Sequence, residues 1–251
     1  MADTLLNVED VSKRFGGLLA VNEVSFNVAA RGITALIGPN GAGKTTLFSI
    51  IAGSQAPDSG RILYDGSAIT GELPHRLARR GIARTFQIVQ PFVGLTVREN
   101  IAIGAHLSRR GRGEALAVAG EVARSVGLGA QLEATAATLT VAGRKRLELA
   151  RALAISPRLL LLDEVLAGLN PSEIRDMIPV IGGIADRGIT VLMTEHVMQA
   201  VMSLARHVFV LAEGRVIARG TPQQIAADQR VVEAYLGHGA AKRMATGAGH
   251  G

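Results

Sequence analysis

The chain has 251 residues, of which 48% are hydrophobic, 3% are aromatic and none is Cys or Trp. This length suffices for one large domain or two small ones, with a core built mainly from aliphatic side chains. Without Cys the chain forms no disulfide and no thiolate metal site. No charge-free apolar run approaches the roughly 20 residues needed to span a bilayer.

The net charge of +6 and the first residues restrict the expected cellular setting. A basic protein can act on nucleic acid, on an anionic membrane surface or on a nucleotide. The chain shows no dense stripe of Lys and Arg interleaved with aromatic residues, so we expect no nucleic acid among its partners. Residues 1–4 lack the basic and apolar regions of a signal peptide, and we expect a soluble, cytoplasmic protein.

The first 28 residues alternate between apolar and polar side chains in a way typical of β-strands. The alternation is clearest at residues 5–9 and 24–28. The segment 13–17 between them contains Phe15, and we expect a loop there. By itself this aromatic side chain indicates no more than a minor core contact.

The next segment contains the most specific motif of the chain. The motif fits G-x-x-x-x-G-K-S/T and reads Gly38-Pro39-Asn40-Gly41-Ala42-Gly43-Lys44-Thr45. The apolar run at 33–37 predicts a buried strand before it, and residues 46–52 predict a helix that ends at Gly53. Glycines let backbone N–H groups surround an anion, and a helix N-terminus adds partial positive charge. We expect Lys44 to reach the β- and γ-phosphates of a nucleotide, and the Thr45 hydroxyl to ligate Mg²⁺.

Residues 57–157 change in character from strand-like to helical. A turn at 57–60 leads into a strand at 61–66, and residues 72–80 predict a basic helix. From 85 to 157 apolar residues recur at helical spacing, which predicts a mostly helical insert. Within it, residues 108–113 are basic and glycine-rich, so we expect a solvated loop there.

Two acidic residues follow a strand of four leucines at the start of the third part of the chain. Residues 158–162 predict a fully buried strand, and Asp163 and Glu164 come at its carboxyl end. Ligands of open α/β sheets bind at the carboxyl ends of the strands. A buried Asp is costly unless it is paired or metal-bound, so we expect Asp163 to bind Mg²⁺ and Glu164 to act as a catalytic base.

The remaining segments predict a helix, a strand, a hairpin and a tail. Residues 172–187 contain Pro179 and two glycines, so we expect a kinked helix or one broken in two. The strand at 189–194 is followed by Glu195 and His196, again at a carboxyl end. A hairpin at 208–218 and a helical segment from 220 come next, and we expect residues 237–251 to be disordered.

Five motifs therefore stand in one order along the chain. They are the loop at 38–45, Gln87 within 84–87, a basic helical block at 139–153, the pair Asp163-Glu164, and His196. Over residues 4–237 this arrangement resembles the ATP-binding subunit of an ABC transporter. The resemblance implies an α/β fold, with a P-loop NTPase (RecA-like) core, an antiparallel β subdomain and a helical subdomain.

The resemblance also implies a domain division. Residues 1–237 would form the ABC ATPase domain and residues 238–251 a disordered tail. Within the domain, residues 1–84 and 158–220 would form the nucleotide-binding core and β subdomain. Residues 85–157 would form the helical subdomain, which carries the family's signature segment.

Several strings are similar to those of branched-chain amino acid importer ATPases in particular. These strings are Phe15-Gly16-Gly17-Leu18 and the segments 81–87, 95–100, 146–153, 167–173 and 233–237. This resemblance implies ATP hydrolysis coupled to import of branched-chain amino acids or similar small polar solutes, such as amides or urea.

Roles for individual residues follow from the resemblance, position by position. Phe15 would stack on adenine, and Gln87 would touch Mg²⁺ or the attacking water. Glu164 would polarise that water and His196 would contact the γ-phosphate. The implied catalytic residues are Lys44, Gln87, Glu164 and His196, and the implied Mg²⁺ ligands are Thr45, Gln87 and Asp163. The implied ATP-binding residues are Phe15, Gly38, Pro39, Asn40, Gly41, Ala42, Gly43, Lys44, Thr45, Thr46, Thr140, Ala142 and Gly143.

The signature segment departs from the family's Leu-Ser-Gly-Gly-Gln. Residues 139–143 are Leu-Thr-Val-Ala-Gly, so Thr140 keeps a hydroxyl while Ala142 replaces the second glycine and Gly143 replaces the glutamine. In the family this segment binds the γ-phosphate held by a partner ATPase. We expect the methyl group of Ala142 to crowd that approach, which would leave one of two ATP sites slow in a heterodimer. Val165 and Asn170 also replace the family's usual Pro and Asp.

The implied partners are integral-membrane permease subunits, a second ABC ATPase chain (itself or a sister), and indirectly a solute-binding protein. The chain would then lie at the cytoplasmic face of the bacterial inner membrane. Three alternatives stay open: an exporter ATPase for lipid or lipopolysaccharide, a soluble ABC protein of translation or DNA repair, and a nucleotide-binding subunit with weak turnover. The importer-like strings disfavour the first alternative. A single phosphate loop without heptads disfavours the second, and Lys44, Asp163, Glu164 and His196 together disfavour the third.

Overall fold

The computed structural model describes residues 3–85, 90–107, 109 and 111–236. The strands are β1 (Thr4–Phe15), β2 (Leu18–Ala29), β3 (Ile33–Ile37), β4 (Ser59–Tyr64), β5 (Ser67–Ala68), β6 (Ile82–Arg84), β7 (Leu159–Asp163), β8 (Thr190–Thr194), β9 (His207–Ala212) and β10 (Arg215–Gly220). The helices are α1 (Lys44–Ile51), α2 (Pro74–Arg79), α3 (Val97–Ala105), α4 (Arg112–Ser125), α5 (Val141–Leu153), α6 (Pro171–Asp186), α7 (Met198–Leu204), α8 (Pro222–Ala226) and α9 (Gln229–Leu236).

The strands form two sheets. Six of them stand in the order β10-β9-β3-β8-β7-β6, and four stand in the order β2-β1-β4-β5. In the larger sheet β9, β3, β8, β7 and β6 run parallel, while β10 pairs antiparallel with β9 at one edge. The smaller sheet is antiparallel throughout. Because parallel strands end at the same edge, the segments after β3, β7 and β8 begin side by side.

The parallel sheet is buried on both faces, which explains its apolar strands. Leu160 and Leu162 of β7 join a core shared with the helices α3 to α6. Leu159 and Leu161 point to the other face, where they join a core shared with α1 and the antiparallel sheet. Burial of each such side chain contributes roughly 1.5–3 kcal/mol. The predicted buried strand of leucines therefore separates two cores.

The insert between the core strands is helical, as its periodicity predicts. Helix α3 begins with a capping box in which Thr96 and Glu99 bond each other's backbone N–H groups. The fully buried Asn100 joins α3 to the preceding segment, because its side chain accepts from Phe92 N at 2.9 Å and donates to Phe92 O at 3.0 Å.

The predicted solvated loop at 108–113 is too long. Helix α4 already begins at Arg112, and Ser108 and Arg110 lie outside the described residues. The first turn of α4 is exposed and needs no apolar residues of its own. Its stability comes from the following turns, where Ala115, Ala119 and Ala123 are buried.

Of the two forms expected for residues 172–187, a kinked helix or one broken in two, the broken helix is wrong. Helix α6 is continuous over 16 residues with Pro179 inside it. The Asn170 side chain caps its N-terminus in a capping box with Glu173, and Met177, Ile181 and Ile184 are buried along one face. Packing of this face and the cap outweigh the propensity cost of the proline, which itself lies on the exposed side.

The last elements follow the predicted hairpin. Helix α8 starts with a capping box between Thr221 and Gln224, and α9 completes the described chain. The predicted disordered tail lies outside the described residues. None of the helices described is both long and apolar enough to cross a membrane.

Candidate functional site

Three sequence motifs meet at one edge of the parallel sheet. The phosphate loop follows β3, the pair Asp163-Glu164 lies at the end of β7, and His196 follows β8. Strand β8 is hydrogen-bonded to both β3 and β7. The three motifs therefore emerge from three adjacent parallel strands, at the carboxyl ends where ligands of such sheets bind.

The phosphate loop requires glycine at two positions where other chain segments pass close by. Gly38 has φ +152°, and a Cβ there would lie 2.0 Å from the carbonyl oxygen of Leu211. Gly43 has φ +100°, and a Cβ there would lie 2.3 Å from the carbonyl oxygen of Ala20. Only glycine allows this close backbone approach, and the loop is thereby folded into a cradle for an anion.

Lys44 lies inside this cradle. Its Nζ donates to the carbonyl oxygens of Gly38 at 2.8 Å and Pro39 at 2.9 Å, and the residue is 5% exposed. Burial lowers the pKa of Lys44, while attraction to Glu164 and Asp163 opposes that change. The cation therefore lies within electrostatic reach of both acids. Helix α1 begins at Lys44, so its N-terminus faces the loop.

Asp163 is buried and its charge is compensated. Its Oδ2 accepts from Arg84 Nη2 at 2.7 Å, and its Oδ1 accepts from the Thr194 hydroxyl at 2.9 Å. Arg84 also donates to the Ser49 hydroxyl of α1 at 3.2 Å. Sequence reasoning assigned no role to Arg84 or Thr194, although both end strands of the sheet that carries the site.

Glu164 and His196 lie in direct contact. Glu164 Oε1 is 2.6 Å from His196 Nε2, and their side chains are 14% and 39% exposed. The backbone of Glu164 is left-handed, with φ +49°, and its N–H donates to Thr194 O at 3.0 Å. A partly shielded carboxylate beside an imidazole can orient a water molecule and accept its proton.

Two further charged groups lie beneath this pair. Glu195 is 2% exposed and Lys145 of α5 is 7% exposed. Burial raises the pKa of Glu195 to about 7 and lowers the pKa of Lys145. From the sequence, Glu195 was expected at the carboxyl end of a strand but had no role, and Lys145 was not singled out. Two sequence features indicate these residues. Glu195 comes directly after an apolar strand, and Lys145 lies two residues before the buried Leu147.

The signature segment lies at the N-terminus of α5. The Thr140 hydroxyl caps the helix by accepting from Gly143 N at 3.1 Å, and Val141 is 57% exposed. Ala142 is half-buried and Gly143 is buried. This end of the helix presents Thr140 and Val141 to solvent, as a surface that binds a nucleotide on another chain would require.

Phe15 and Gln87 complete the residues expected from the sequence. The loop expected at 13–17 is too long, because β1 continues to Phe15. The Phe15 side chain is 46% exposed and has the Lys13 ammonium 5.8 Å from its ring centroid. The turn after it leads into Ala20, whose carbonyl oxygen abuts Gly43, so this hairpin runs beside the phosphate loop. Gln87 lies outside the described residues.

The residues present fit a nucleotide with Mg²⁺. The cradle around Gly38 and Gly43 suits phosphate oxygens, and Thr45 and Asp163 offer the hard oxygen ligands that Mg²⁺ prefers. Within the part of the chain that the structure describes, no cluster of three or more His, Cys, Asp or Glu side chains could hold a metal.

Comparisons with known proteins find similar sequences along nearly the whole chain. The family model described as ABC transporter matches residues 21–167, and the model described as branched-chain amino acid ATP-binding cassette transporter matches residues 215–241. The high-affinity branched-chain amino acid transport ATP-binding protein BraF of Pseudomonas aeruginosa is 39% identical, over 94% of this chain and 99% of BraF. The lipopolysaccharide export system ATP-binding protein LptB of Haemophilus influenzae is 34% identical, over 93% of this chain and 98% of LptB.

A solved structure shows the same fold. The crystal structure of a nucleotide-free ATP-binding cassette from an ABC transporter matches with a TM-score of 0.85 and 30% identity, over 93% of this chain and 99% of that one. The α/β fold class predicted from the motifs is thereby confirmed.

Proposed function

Because the chain belongs to the ABC transporter ATP-binding family, we propose that it energises an importer of branched-chain amino acids or similar small polar solutes, such as amides or urea. As a member of this family it is an ATPase subunit that binds nucleotide. The match of residues 215–241 to the branched-chain amino acid model, and the similarity to BraF over nearly the whole chain, support this class of cargo.

One observation carries the enzymatic part of the proposal. The phosphate loop, the pair Asp163-Glu164 and His196 converge at the carboxyl edge of β3, β7 and β8, with Glu164 and His196 in contact at 2.6 Å. Phosphoryl transfer depends mainly on positioning and on stabilising charge. This edge offers a cation, a helix N-terminus and a carboxylate in one place.

Nucleotide binding is the role of the loop and its neighbours. Lys44 and the loop N–H groups hold the phosphates, and Phe15 stacks on adenine. Thr45, Gln87 and Asp163 hold Mg²⁺, which when bound offsets the negative charge of the phosphates. The role of Phe15 in adenine stacking is supported by the exposure of its ring and by the position of its hairpin beside the phosphate loop.

Hydrolysis is the role of Glu164 and His196. Glu164 polarises the attacking water, and His196 contacts the γ-phosphate. The contact between the two side chains supports their acting on the same group of atoms. The buried ion pair of Asp163 with Arg84 gives the neighbouring main chain a rigid support.

The subunit acts with other chains in this proposal. A second ABC ATPase chain, itself or a sister, receives Thr140, Ala142 and Gly143 against its nucleotide. Permease subunits dock near residues 88–100, and a solute-binding protein delivers the cargo at the other side of the bacterial inner membrane. The exposure of Phe92 (49%) and Val93 (59%) supports an apolar docking surface at this segment.

Lipopolysaccharide or lipid export is the second candidate. The 34% identity to LptB favours it, whereas the match at residues 215–241 favours import. An uptake assay with radiolabelled leucine distinguishes import from export. It compares cells in which the gene is deleted with the same cells after the wild-type or the Glu164→Gln chain is restored. We expect uptake to return with the wild-type chain only. Unchanged leucine uptake together with lipopolysaccharide retained in the inner membrane would establish export instead.

Phosphate release by the purified full chain tests the enzymatic part directly. Glu164→Gln keeps the size and loses the base, so we expect hydrolysis to fall by about 100-fold or more. Binding of fluorescent MANT-ATP should stay within about threefold, because the phosphate loop is untouched. Glu121→Gln, the same chemical change at an exposed position of α4, is the matched control. Wild-type hydrolysis in Glu164→Gln would contradict the role of Glu164.

A further inference from the structure

The loop that follows β7 is held from two directions by buried charged side chains. Glu195, at the end of β8, accepts a hydrogen bond at Oε1 from Leu166 N at 3.0 Å. Lys145 of α5 donates from Nζ to the carbonyl oxygen of Glu164 at 3.5 Å. One group therefore contacts the main chain at Glu164 itself, and the other contacts it two residues later.

The main chain at Glu164 needs such support. Its φ of +49° places a non-glycine residue in the left-handed region, which persists only where the surroundings fix it. Thr194 O accepts from Glu164 N at 3.0 Å, and Glu164 O accepts from Ala167 N at 3.1 Å. Lys145 and Glu195 add the side-chain part of this support.

Two charges in this position are unfavourable for stability alone. Both residues are less than a tenth exposed, and burial raises the pKa of Glu195 while it lowers the pKa of Lys145. Burying an ionisable side chain away from water costs free energy unless the group is paired and hydrogen-bonded. A role beyond stability explains why the two groups lie beneath the site.

We propose that Lys145 and Glu195 are positioning residues for ATP hydrolysis, which fix the main chain at Glu164 and two residues after it and so hold the Glu164 carboxylate against His196. This inference rests on the proposed function. Neither residue touches the reacting atoms. Their effect is exerted through Glu164, and a displacement of that carboxylate by about 1 Å is enough to slow the reaction greatly.

The position of Lys145 gives the support a second consequence. Lys145 lies on α5, whose N-terminus carries Thr140 of the signature segment. Six residues further along, Arg151 donates to Glu148 Oε2 and to Gln90 O, both at 3.1 Å. Helix α5 thus contacts both the catalytic loop and the segment proposed to dock the permease. A shift of α5 relative to the sheet would change the distance between Lys145 Nζ and the Glu164 carbonyl oxygen, which is 3.5 Å here.

Variants of the full chain test the inference. Lys145→Met removes the ammonium and keeps the chain length, and we expect kcat for phosphate release to fall by about tenfold or more. Lys145→Arg restores a buried cation, and its kcat should return to within about 1.5-fold of wild type. Glu195→Gln keeps an acceptor for Leu166 N and loses the charge, so a smaller fall, about threefold, is expected.

Nucleotide affinity distinguishes positioning from a general structural role. MANT-ATP dissociation constants should stay within about twofold in all three variants, because the phosphate loop is unchanged. Arg175→Gln removes a cation from an exposed position of α6 and is the matched control. Equal losses of affinity and kcat would overturn the inference, and so would a wild-type kcat in Lys145→Met.

The same experiment separates this inference from the proposed function. If the wild-type chain and Glu164→Gln hydrolyse ATP equally slowly, the proposed function fails before Lys145 is considered. If wild type is active and Glu164→Gln is not, the Lys145 and Glu195 variants are decisive. If Lys145→Met fails to fold, the test relies on Glu195→Gln, because Gln has the same size and shape as Glu. A wild-type kcat in Glu195→Gln would then overturn the inference.

Discussion

At the scale of single residues, the site is defined by charges that are paired inside the protein rather than exposed. Asp163 is compensated by Arg84, and Lys44 is bonded within its own loop. Glu195 differs, because its burial leaves the neutral form favoured up to about neutral pH. Its environment contains Glu164, which raises its pKa further, and Lys145, which lowers it.

The pKa of Glu195 predicts a pH dependence of stability. Below about pH 4.5 the Glu195 carboxyl is protonated in both the folded and the unfolded chain, so its titration does not change the free energy of unfolding. Between pH 4.5 and about 7 the unfolded chain loses the proton while the folded chain keeps it, so stability falls as pH rises. By pH 8 the loss is on the order of 3 kcal/mol.

Glu195→Gln removes this titration. Urea unfolding at pH 5 and pH 8 should show the variant gaining stability relative to wild type at the higher pH, with Glu121→Gln as the baseline. A variant that lost kcat while gaining stability would support positioning over structural support. A stability difference that stays flat from pH 5 to pH 8 would argue against a perturbed Glu195.

At the scale of elements, α6 shows how packing overrides propensity. Pro179 is exposed in the middle of the helix. A Cβ atom on Gly182 would lie 3.7 Å from Cδ2 of Leu204 in α7. The buried side chains Met177, Ile181 and Ile184 keep the helix against the core. The proline therefore destabilises α6 locally, while the packing of the buried face keeps the helix formed.

Pro179→Ala should raise the free energy of unfolding by about 1–2 kcal/mol. The change restores a backbone N–H and removes the clash of the ring with the carbonyl of the preceding turn, while the unfolded chain gains about 0.4–1 kcal/mol of entropy. Urea unfolding measures the effect. Arg175→Ala, one turn earlier and exposed, should change stability by less than about 0.5 kcal/mol. A destabilised Pro179→Ala variant would mean that the ring is required for the local geometry.

At the scale of the whole molecule, the proposed ATP site is made of two parts, the phosphate loop and the start of α5. The phosphate loop lies at the edge of the sheet, and Thr140 lies at the exposed start of α5. In the proposed complex a second chain brings the two together. The methyl group of Ala142, half-buried beside Val141, lies at the surface through which this approach would occur.

Light scattering with and without Mg-ATP tests this arrangement in the Glu164→Gln chain, which should hold ATP without turnover. We expect Glu164→Gln combined with Ala142→Gly to double its mass at a lower ATP concentration than Glu164→Gln alone. Ala117→Gly, at an exposed position of α4, controls for glycine in a helix. Identical ATP dependence in the two proteins would show that the methyl group is no obstacle.

Much of this protein follows from its sequence alone, where local chemistry is decisive. The phosphate loop, the leucine strand with its two acids and the histidine after the next strand each combine a local pattern with a fixed edge of a parallel sheet. The family and the fold class follow from their order. These features depend only on the identity and spacing of residues along the chain, and both can be read from the sequence.

Only the tertiary structure decided which charged groups meet. Arg84 pairs with Asp163 across 79 residues, and Lys145 reaches Glu164 from a helix 19 residues earlier. Likewise, Pro179 stays within a continuous α6, and α4 begins at Arg112, because buried faces outweigh local propensity. Burial and long-range contact are properties of the folded chain, so a local pattern predicts candidate site residues but not the charged groups that surround them.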